Sequence, residues 1–111
     1  MEIKVRNFTA HPILIFDNEN RLIKTYASEG TARIKKEFVE RPPIDGVRTI
    51  SSDFGEIDGL PEKEPNTYLI VSWVVKNSRR DRIDLICPAT DPLNAVCGPD
   101  GKILGTRAFR M

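Results

Sequence analysis

The apolar residues of this chain come in short runs of β-branched and aromatic side chains, and turn-forming residues bound each run. Residues 13–16 (Ile-Leu-Ile-Phe) are one such run, residues 17–20 follow as an Asp- and Asn-rich tetrad, and residues 21–26 are extended in character again. Asp and Asn tolerate left-handed backbone geometry and hydrogen-bond within their own turns. The pattern therefore predicts an N-terminal β-hairpin with a four-residue loop, and the Gly-Pro-Asp-Gly turn at residues 98–101 predicts a last hairpin.

Residues 31–40 alternate between apolar and charged side chains. Ala32, Ile34 and Phe38 fall on one face, which is the period of two expected of a half-buried antiparallel strand. Lys36 interrupts that face, and this interruption suggests a bulge or a sheet edge. A helix is compatible with the residue propensities here, but the alternation favours a strand.

The Arg-Pro-Pro sequence at residues 41–43 is expected to end that strand, because proline cannot donate to a sheet. Residues 44–67 contain several glycines and prolines, so we expect irregular structure there, with short strands at residues 47–50 and 54–57.

Residues 68–71 (Tyr-Leu-Ile-Val) form the most apolar strand candidate and are expected to lie in the centre of a sheet. After them, residues 72–80 are predicted to form a short helix with Ser72 as its N-cap. The competing interpretation continues the strand through Val75, which the Val-Val pair favours on propensity.

These elements predict a mainly β protein, with an α+β class as the alternative. The expected fold is a compact small β-barrel or sandwich-like domain of six to eight short strands, with one short helix after the most apolar strand. Residues 1–111 are expected to form a single domain, because this length is typical of one. Short strands leave unpaired edges, so a homo-oligomer is also expected.

The charge balance argues against several classes of partner. The chain has 17 Lys and Arg against 16 Asp and Glu, so its net charge gives no general attraction to nucleic acid or membranes. No targeting segment or membrane span is evident, and the two cysteines are expected to be free thiols in a reducing cytoplasm. One His and two Cys without ligand spacing predict neither a metal site nor a cofactor.

Three features could carry function. His11, the one histidine, is either a general base acting with a serine hydroxyl or a loop residue set by the following Pro12. Four cations lie within residues 76–82, and this basic segment is either an anion site or a solvated helix end. Trp73 is expected in the core or at a subunit interface, with recognition of a ligand as the alternative.

An ordered set of motifs resembles a family of small uncharacterised bacteriophage and prophage proteins. Residues 7–13 (Asn-Phe-Thr-Ala-His-Pro-Ile) resemble that family's Asn-Leu-Thr-Pro-His-x-Ile start, and residues 28–33 resemble its Ser-Gly-x-x-Ala-Arg segment. Gly-Leu-Pro at residues 59–61 followed by residues 68–72 is similar to its Gly-Leu-Pro and Tyr-Ile-Val-Ser elements. Residues 82–85 (Arg-Ile-Asp-Leu) with Pro88, and then residues 101–105 (Gly-Lys-Ile-Leu-Gly), resemble the family's closing Arg-x-Asp-Leu, Pro and Gly-x-Ile-x-Gly elements.

The resemblance implies a phage or prophage accessory protein that acts in the bacterial cytoplasm, and it brings no established activity. The chain departs from the pattern at Ala10, where the family has Pro, and in the spacing before Arg33. If the shared polar residues mark a ligand site, the positions that carry over are His11, Arg33, Ser72, Arg82 and Asp84.

Three functional hypotheses follow. The first is a non-enzymatic binder of a small anionic, nucleotide-type ligand that sequesters a host-defence signal, with Arg33 and Arg82 on phosphate and Trp73 or Tyr68 stacking on a base. The second is an inhibitor or adaptor of a host protein that uses residues 60–67 and the basic segment. The third is a small hydrolase that uses His11 with Ser72 and Asp84.

Overall fold

The computed structural model describes residues 2–111, apart from the side chains of residues 36, 37 and 52–55. Over this range the chain is mainly β, with ten strands and one short helix, so the predicted fold class is confirmed. The elements are β1 Lys4–Asn7, β2 Ile13–Phe16, β3 Leu22–Tyr26, β4 Arg33–Ile44, β5 Val47–Asp58, β6 Thr67–Ile70, α1 Trp73–Ser78, β7 Leu85–Pro88, β8 Ala95–Cys97, β9 Ile103–Thr106 and β10 Phe109–Arg110.

Two four-stranded sheets form the body of the molecule. The first has the order β1-β6-β7-β10, in which β6 pairs in parallel with both β1 and β7. The second has the order β3-β2-β9-β8 and contains both hairpins that the turn residues predict. The most apolar strand, β6, is central in its sheet, as expected. Among the described residues no helix is long and apolar enough to cross a membrane.

The core lies between the first sheet and α1. Leu69, Val71, Val75 and Leu85 are almost completely buried there, together with Phe8 and Ala32. Burying an aliphatic side chain of this size contributes roughly 1.5–3 kcal/mol. Ser72 begins α1 as predicted: its backbone is extended and its Oγ accepts a hydrogen bond from the Val75 N–H at 3.3 Å.

Within the described backbone, β4 and β5 pair only with each other and form a two-stranded ribbon, which we call the arm. The prediction that residues 41–43 end the strand is wrong, since β4 continues to Ile44. Pro42 and Pro43, which have no N–H to donate, are tolerated because the register shifts between Arg41 and Ile44 and no third strand of the described backbone pairs with β4 there. The inward position expected for Lys36 lies outside the described side chains.

A tight turn closes the arm. Asp45 and Gly46 both have positive φ, at 52° and 75°, which is the type I′ geometry that matches the twist of a hairpin. Asp-Gly is the residue pair this turn prefers. Residues 47–58 therefore form one strand of 12 residues instead of two short strands in an irregular segment.

Candidate anion-binding cavity

A cavity of about 480 Å³ opens where the basic segment leaves α1 and enters β7. Its polar lining consists of Lys76, Asn77, Arg80 and Arg82, and its apolar lining of Ile83, Leu85 and Met111. We call it the basic cavity. Three of its lining residues are cationic and none is acidic. Arg82 is paired with Asp84, so Lys76 and Arg80 give the cavity its positive character, which favours an anion.

The local chain path brings these cations together. α1 ends after six residues, and the backbone then turns: the Arg79 N–H donates to the Lys76 carbonyl and the Arg82 N–H donates to the Arg79 carbonyl. These two turns direct Arg80 and Arg82 toward the same opening as Lys76. The sequence left two interpretations of the basic segment, an anion site or a solvated helix end. In the structure, three of its four cations line a concave surface.

Asn77 orients Arg80. Arg80 donates from Nε and Nη2 to Asn77 Oδ1, at 3.1 and 2.9 Å. An amide oxygen positions the guanidinium without neutralising its charge, so Arg80 stays available to an anion. Among the described residues the Lys76 ammonium has neither an ion-pair nor a hydrogen-bond partner.

Arg82 is held differently. Its Nε and Nη2 donate to the two carboxylate oxygens of Asp84, at 2.8 and 2.7 Å, and Nη2 also donates to the Pro61 carbonyl at 3.1 Å. Hydrogen bonding to Arg82 lowers the pKa of Asp84, and the same pairing raises the pKa of Arg82. These bonds use Nε and Nη2 and do not involve Nη1.

Arg79 belongs to the same basic segment but not to the cavity. It forms an exposed two-point ion pair with Asp81, with both bonds at 3.0 Å. Hydrogen bonding to Arg79 lowers the pKa of Asp81. Arg79 therefore offers a matched control for any test of the cavity cations.

The five residues that the resemblance singles out do not form one site. Arg82 and Asp84 are an ion pair. Ser72 lies at the carboxyl end of β6 and Asp84 at the amino end of β7. Because β6 and β7 are parallel, these residues are at opposite ends of the strand pair. Arg33 begins the arm and does not line the basic cavity.

His11 lines a separate cavity of about 210 Å³, between the start of β2 and β9. Its place is set by Asn7, which is 1% exposed and donates from Nδ2 to the carbonyls of His11 and Tyr26. Asn7 Oδ1 in turn accepts from the N–H and hydroxyl of Thr9. This role of Asn7 was not predicted from the sequence, although an Asn two residues before a Thr is a known turn signal.

The aromatic residues expected to stack on a base do not line the basic cavity. Trp73 is 60% exposed on α1, so its placement in the core was wrong, whereas the interface alternative stays a prediction. Tyr68 lines another cavity, of about 410 Å³, with Lys63, Glu64 and the buried Asp84. Ile83 lines both this cavity and the basic cavity.

The described part of the chain contains no group of three or more His, Cys, Asp and Glu side chains that could hold a metal ion. Cys87 is buried and Cys97 exposed, and both are free thiols. Burial raises the pKa of the Cys87 thiol. Comparison of the chain with protein-family models, curated proteins and solved structures gives no match.

Proposed function

We propose that the protein binds a small phosphate-bearing ligand of nucleotide size in the basic cavity, without catalysing a reaction on it. The observation that supports this most strongly is the convergence of Lys76, Arg80 and Arg82 on one cavity that no acidic residue lines. Arginine and lysine side chains gathered in a concave surface are the usual protein ligands for phosphate.

The size of the cavity supports a ligand larger than inorganic phosphate. Its volume of about 480 Å³ lies within the roughly 300–1,000 Å³ of small-molecule sites. Ile83, Leu85 and Met111 add an apolar part to the lining of the cavity. A nucleotide has both of the complementary parts, an anionic phosphate and a base whose flat aromatic faces pack against apolar side chains.

The cations have different roles in this proposal. Arg80, oriented by Asn77, and the unpaired Lys76 bind the phosphate oxygens. Arg82 is fixed by Asp84, so it contributes chiefly through the free Nη1 edge of its guanidinium and by positioning the wall of the cavity. His11, Arg33 and Ser72 have no part in binding at this cavity.

The biological setting is also a proposal. The ordered sequence motifs that resemble phage and prophage proteins support a role in the cytoplasm of a bacterial host. There, a binder of this kind would sequester a nucleotide-type signal of host defence, and it would act as a homo-oligomer.

A hydrolase that uses His11 with Ser72 and Asp84 has less support from the geometry. The Ser72 Oγ accepts a hydrogen bond from the Val75 N–H at the start of α1, and the Asp84 carboxylate is bound to Arg82. His11 lines a different cavity. A nucleophile, a base and an orienting carboxylate must lie within hydrogen-bond reach of one another, whereas the Ser72 hydroxyl and the Asp84 carboxylate are held by other partners.

Native mass spectrometry of the protein purified from a bacterial cytoplasm, with and without an added mixed nucleotide pool, tests the proposal. We expect an added mass of nucleotide size. Loss of a charge-assisted hydrogen bond costs about 1.5–3 kcal/mol, so Arg80→Ala should weaken binding by about 10- to 100-fold. Arg79→Ala removes the same charge outside the cavity and should retain the added mass. A protein that takes up no nucleotide, or an equal loss in both variants, contradicts the proposal.

A further inference from the structure

The cavity that Tyr68 lines is next to the basic cavity, and we call it the adjoining cavity. Arg82 lines the basic cavity, Asp84 lines the adjoining cavity, and the two side chains are joined by hydrogen bonds of 2.8 and 2.7 Å. Ile83, between them in the chain, is 75% exposed and lines both cavities. The two cavities therefore meet at residues 82–84, where one small molecule can contact both.

The adjoining cavity differs from the basic cavity in the sign of its charges. No acidic residue lines the basic cavity, whereas Lys63 lines the adjoining cavity together with Glu64 and Asp84. Two carboxylates disfavour a phosphate, so the adjoining cavity is poorly suited to a second anion. A neutral group that carries both hydrogen-bond donors and acceptors suits it better.

Two donors of the adjoining cavity are available to a ligand. Among the described residues, neither the Lys63 ammonium nor the Tyr68 hydroxyl has a hydrogen-bond partner, and Lys63 forms no ion pair. Lys63 also lies near the buried carboxylate of this cavity. Hydrogen bonding to Arg82 lowers the pKa of Asp84 most, and the positive charge of Lys63 lowers it further.

One carboxylate of the adjoining cavity is held in place and keeps a free oxygen. Arg6 Nη1 donates to Glu64 Oε1 at 3.0 Å, whereas Glu64 Oε2 accepts no hydrogen bond within the described residues. Both carboxylate oxygens of Asp84, by contrast, are bonded to Arg82. Glu64 is therefore the acceptor of this cavity that has most capacity left for the donors of a ligand.

The segment of residues 61–66, which carries the free ammonium and the held carboxylate, is anchored at both ends. The Pro61 carbonyl accepts a hydrogen bond from Arg82 Nη2 at 3.1 Å. The Asn66 carbonyl accepts one from the Lys4 N–H at 2.8 Å. Groups that are held before a ligand arrives lose less conformational freedom on binding, so this segment can contribute to affinity and selectivity.

We propose that the ligand is a guanine nucleotide, with its phosphates in the basic cavity and the polar edge of its base in the adjoining cavity. The face of the base packs against Ile83, which lines both cavities. This inference rests on the proposed function, because it concerns the base of the same ligand.

Guanine matches the polar groups of the adjoining cavity better than the other bases do. Its O6 and N7 are acceptors for which lysine is a usual donor, and Lys63 and the Tyr68 hydroxyl donate to them. Its N1–H and N2 amino group are adjacent donors, and the carboxylate of Glu64 accepts from them. Adenine and cytosine offer a carboxylate only one amino nitrogen, and uracil offers only one ring N–H.

Isothermal titration calorimetry of the full-length chain with GDP, IDP, ADP and inorganic pyrophosphate tests the inference. The base of IDP keeps O6, N7 and N1–H but lacks the N2 amino group. We expect GDP to bind about 10- to 100-fold more tightly than ADP, with the affinity for IDP between the two. Equal affinities for GDP and ADP, or tighter binding of ADP, overturn the inference.

Glu64→Gln and Glu62→Gln form a matched pair of variants. Both remove one negative charge from the same exposed segment, but Glu62 does not line the adjoining cavity. We expect Glu64→Gln to reduce the preference for GDP over ADP by about 10-fold and Glu62→Gln to keep it. The two variants should bind pyrophosphate equally, since neither residue lines the basic cavity. A full preference for GDP in Glu64→Gln overturns the inference.

Pyrophosphate separates a failure of this inference from a failure of the proposed function. If pyrophosphate binds, Arg80→Ala weakens its binding, and GDP and ADP bind equally, the guanine inference alone is overturned. If none of the four compounds binds at millimolar concentration, both the inference and the proposed function are overturned.

Discussion

Replacing Arg82 by Met leaves the carboxylate of Asp84 buried without its partner. The arginine side chain is 14% exposed and that of Asp84 5% exposed, and the change removes two hydrogen bonds to Asp84 and one to the Pro61 carbonyl. Breaking a buried ion pair by removing one partner costs about 3–5 kcal/mol. The lower end applies here, because Arg82 keeps some contact with water. Methionine retains most of the apolar contacts of the arginine stem, so the loss reflects the pair.

Urea unfolding at one protein concentration measures this cost as a change in the free energy of unfolding. We expect Arg82→Met to lose about 3 kcal/mol, which corresponds to roughly 12–15 °C in Tm for a chain of this length. Arg79→Met breaks an ion pair at the surface and should have little effect, since water replaces the carboxylate. The double change of Arg82→Met with Asp84→Leu should recover most of the loss, because no buried charge then lacks a partner.

A loss below about 0.5 kcal/mol in Arg82→Met would contradict a buried ion pair at Asp84, since a surface substitution typically has an effect of that size. It would mean that Asp84 is hydrated or neutral in the folded protein. If the double variant does not recover stability, the unpaired carboxylate of Asp84 is not the cause of the loss. The loss would then come from the packing of the Arg82 side chain.

Two further predictions concern pH and packing. Arg82 lowers the pKa of Asp84 in the folded protein. The Asp84 carboxylate therefore contributes to stability above the ordinary carboxyl pKa of about 3.9, and this contribution is lost as the pH falls through the lowered pKa of the folded state. In urea unfolding between pH 5 and pH 2, the free energy of unfolding should fall less in Arg82→Met than in the parent. Gly105→Ala should cost at least about 2 kcal/mol in thermal unfolding, because the added Cβ would lie 2.7 Å from Phe16 Cε2 and against a β2 carbonyl.

If the free energy of unfolding falls equally with pH in the parent and in Arg82→Met, the acid sensitivity comes from other carboxylates. A Gly105→Ala variant with the Tm of the parent would show that β2 and β9 can separate at that point without cost, which the parallel pairing between them argues against.

The hairpins and the helix were predictable because local residues decide them. The Asp- and Asn-rich tetrad before β3 and the Ser72 cap before α1 act within a few residues of their own positions. The arm was not predictable in the same way. Whether Pro42 and Pro43 end a strand depends on a third strand beside them, and the local sequence does not contain that information.

The candidate site was predictable as a segment but not as a set of side chains. Residues 76–84 stand out by their cations, yet Arg79 and Arg82 both precede an Asp by two positions and look alike in the sequence. The fold separates them: Arg79 pairs with Asp81 at the surface, whereas Arg82 is buried with Asp84 and lines the cavity. That difference depends on where β7 places Asp84.

The most direct test of the central claim is mapping of amide chemical shifts in the ¹⁵N-labelled protein during titration with ADP and, separately, with inorganic pyrophosphate. We expect the largest shifts with ADP on Lys76, Asn77, Arg80 and residues 82–85, and we expect Arg80→Ala to reduce them while Arg79→Ala does not. Shifts centred on the cavity of His11 or on Arg33, or the absence of shifts at millimolar ADP, would contradict the assignment of the basic cavity as a nucleotide site.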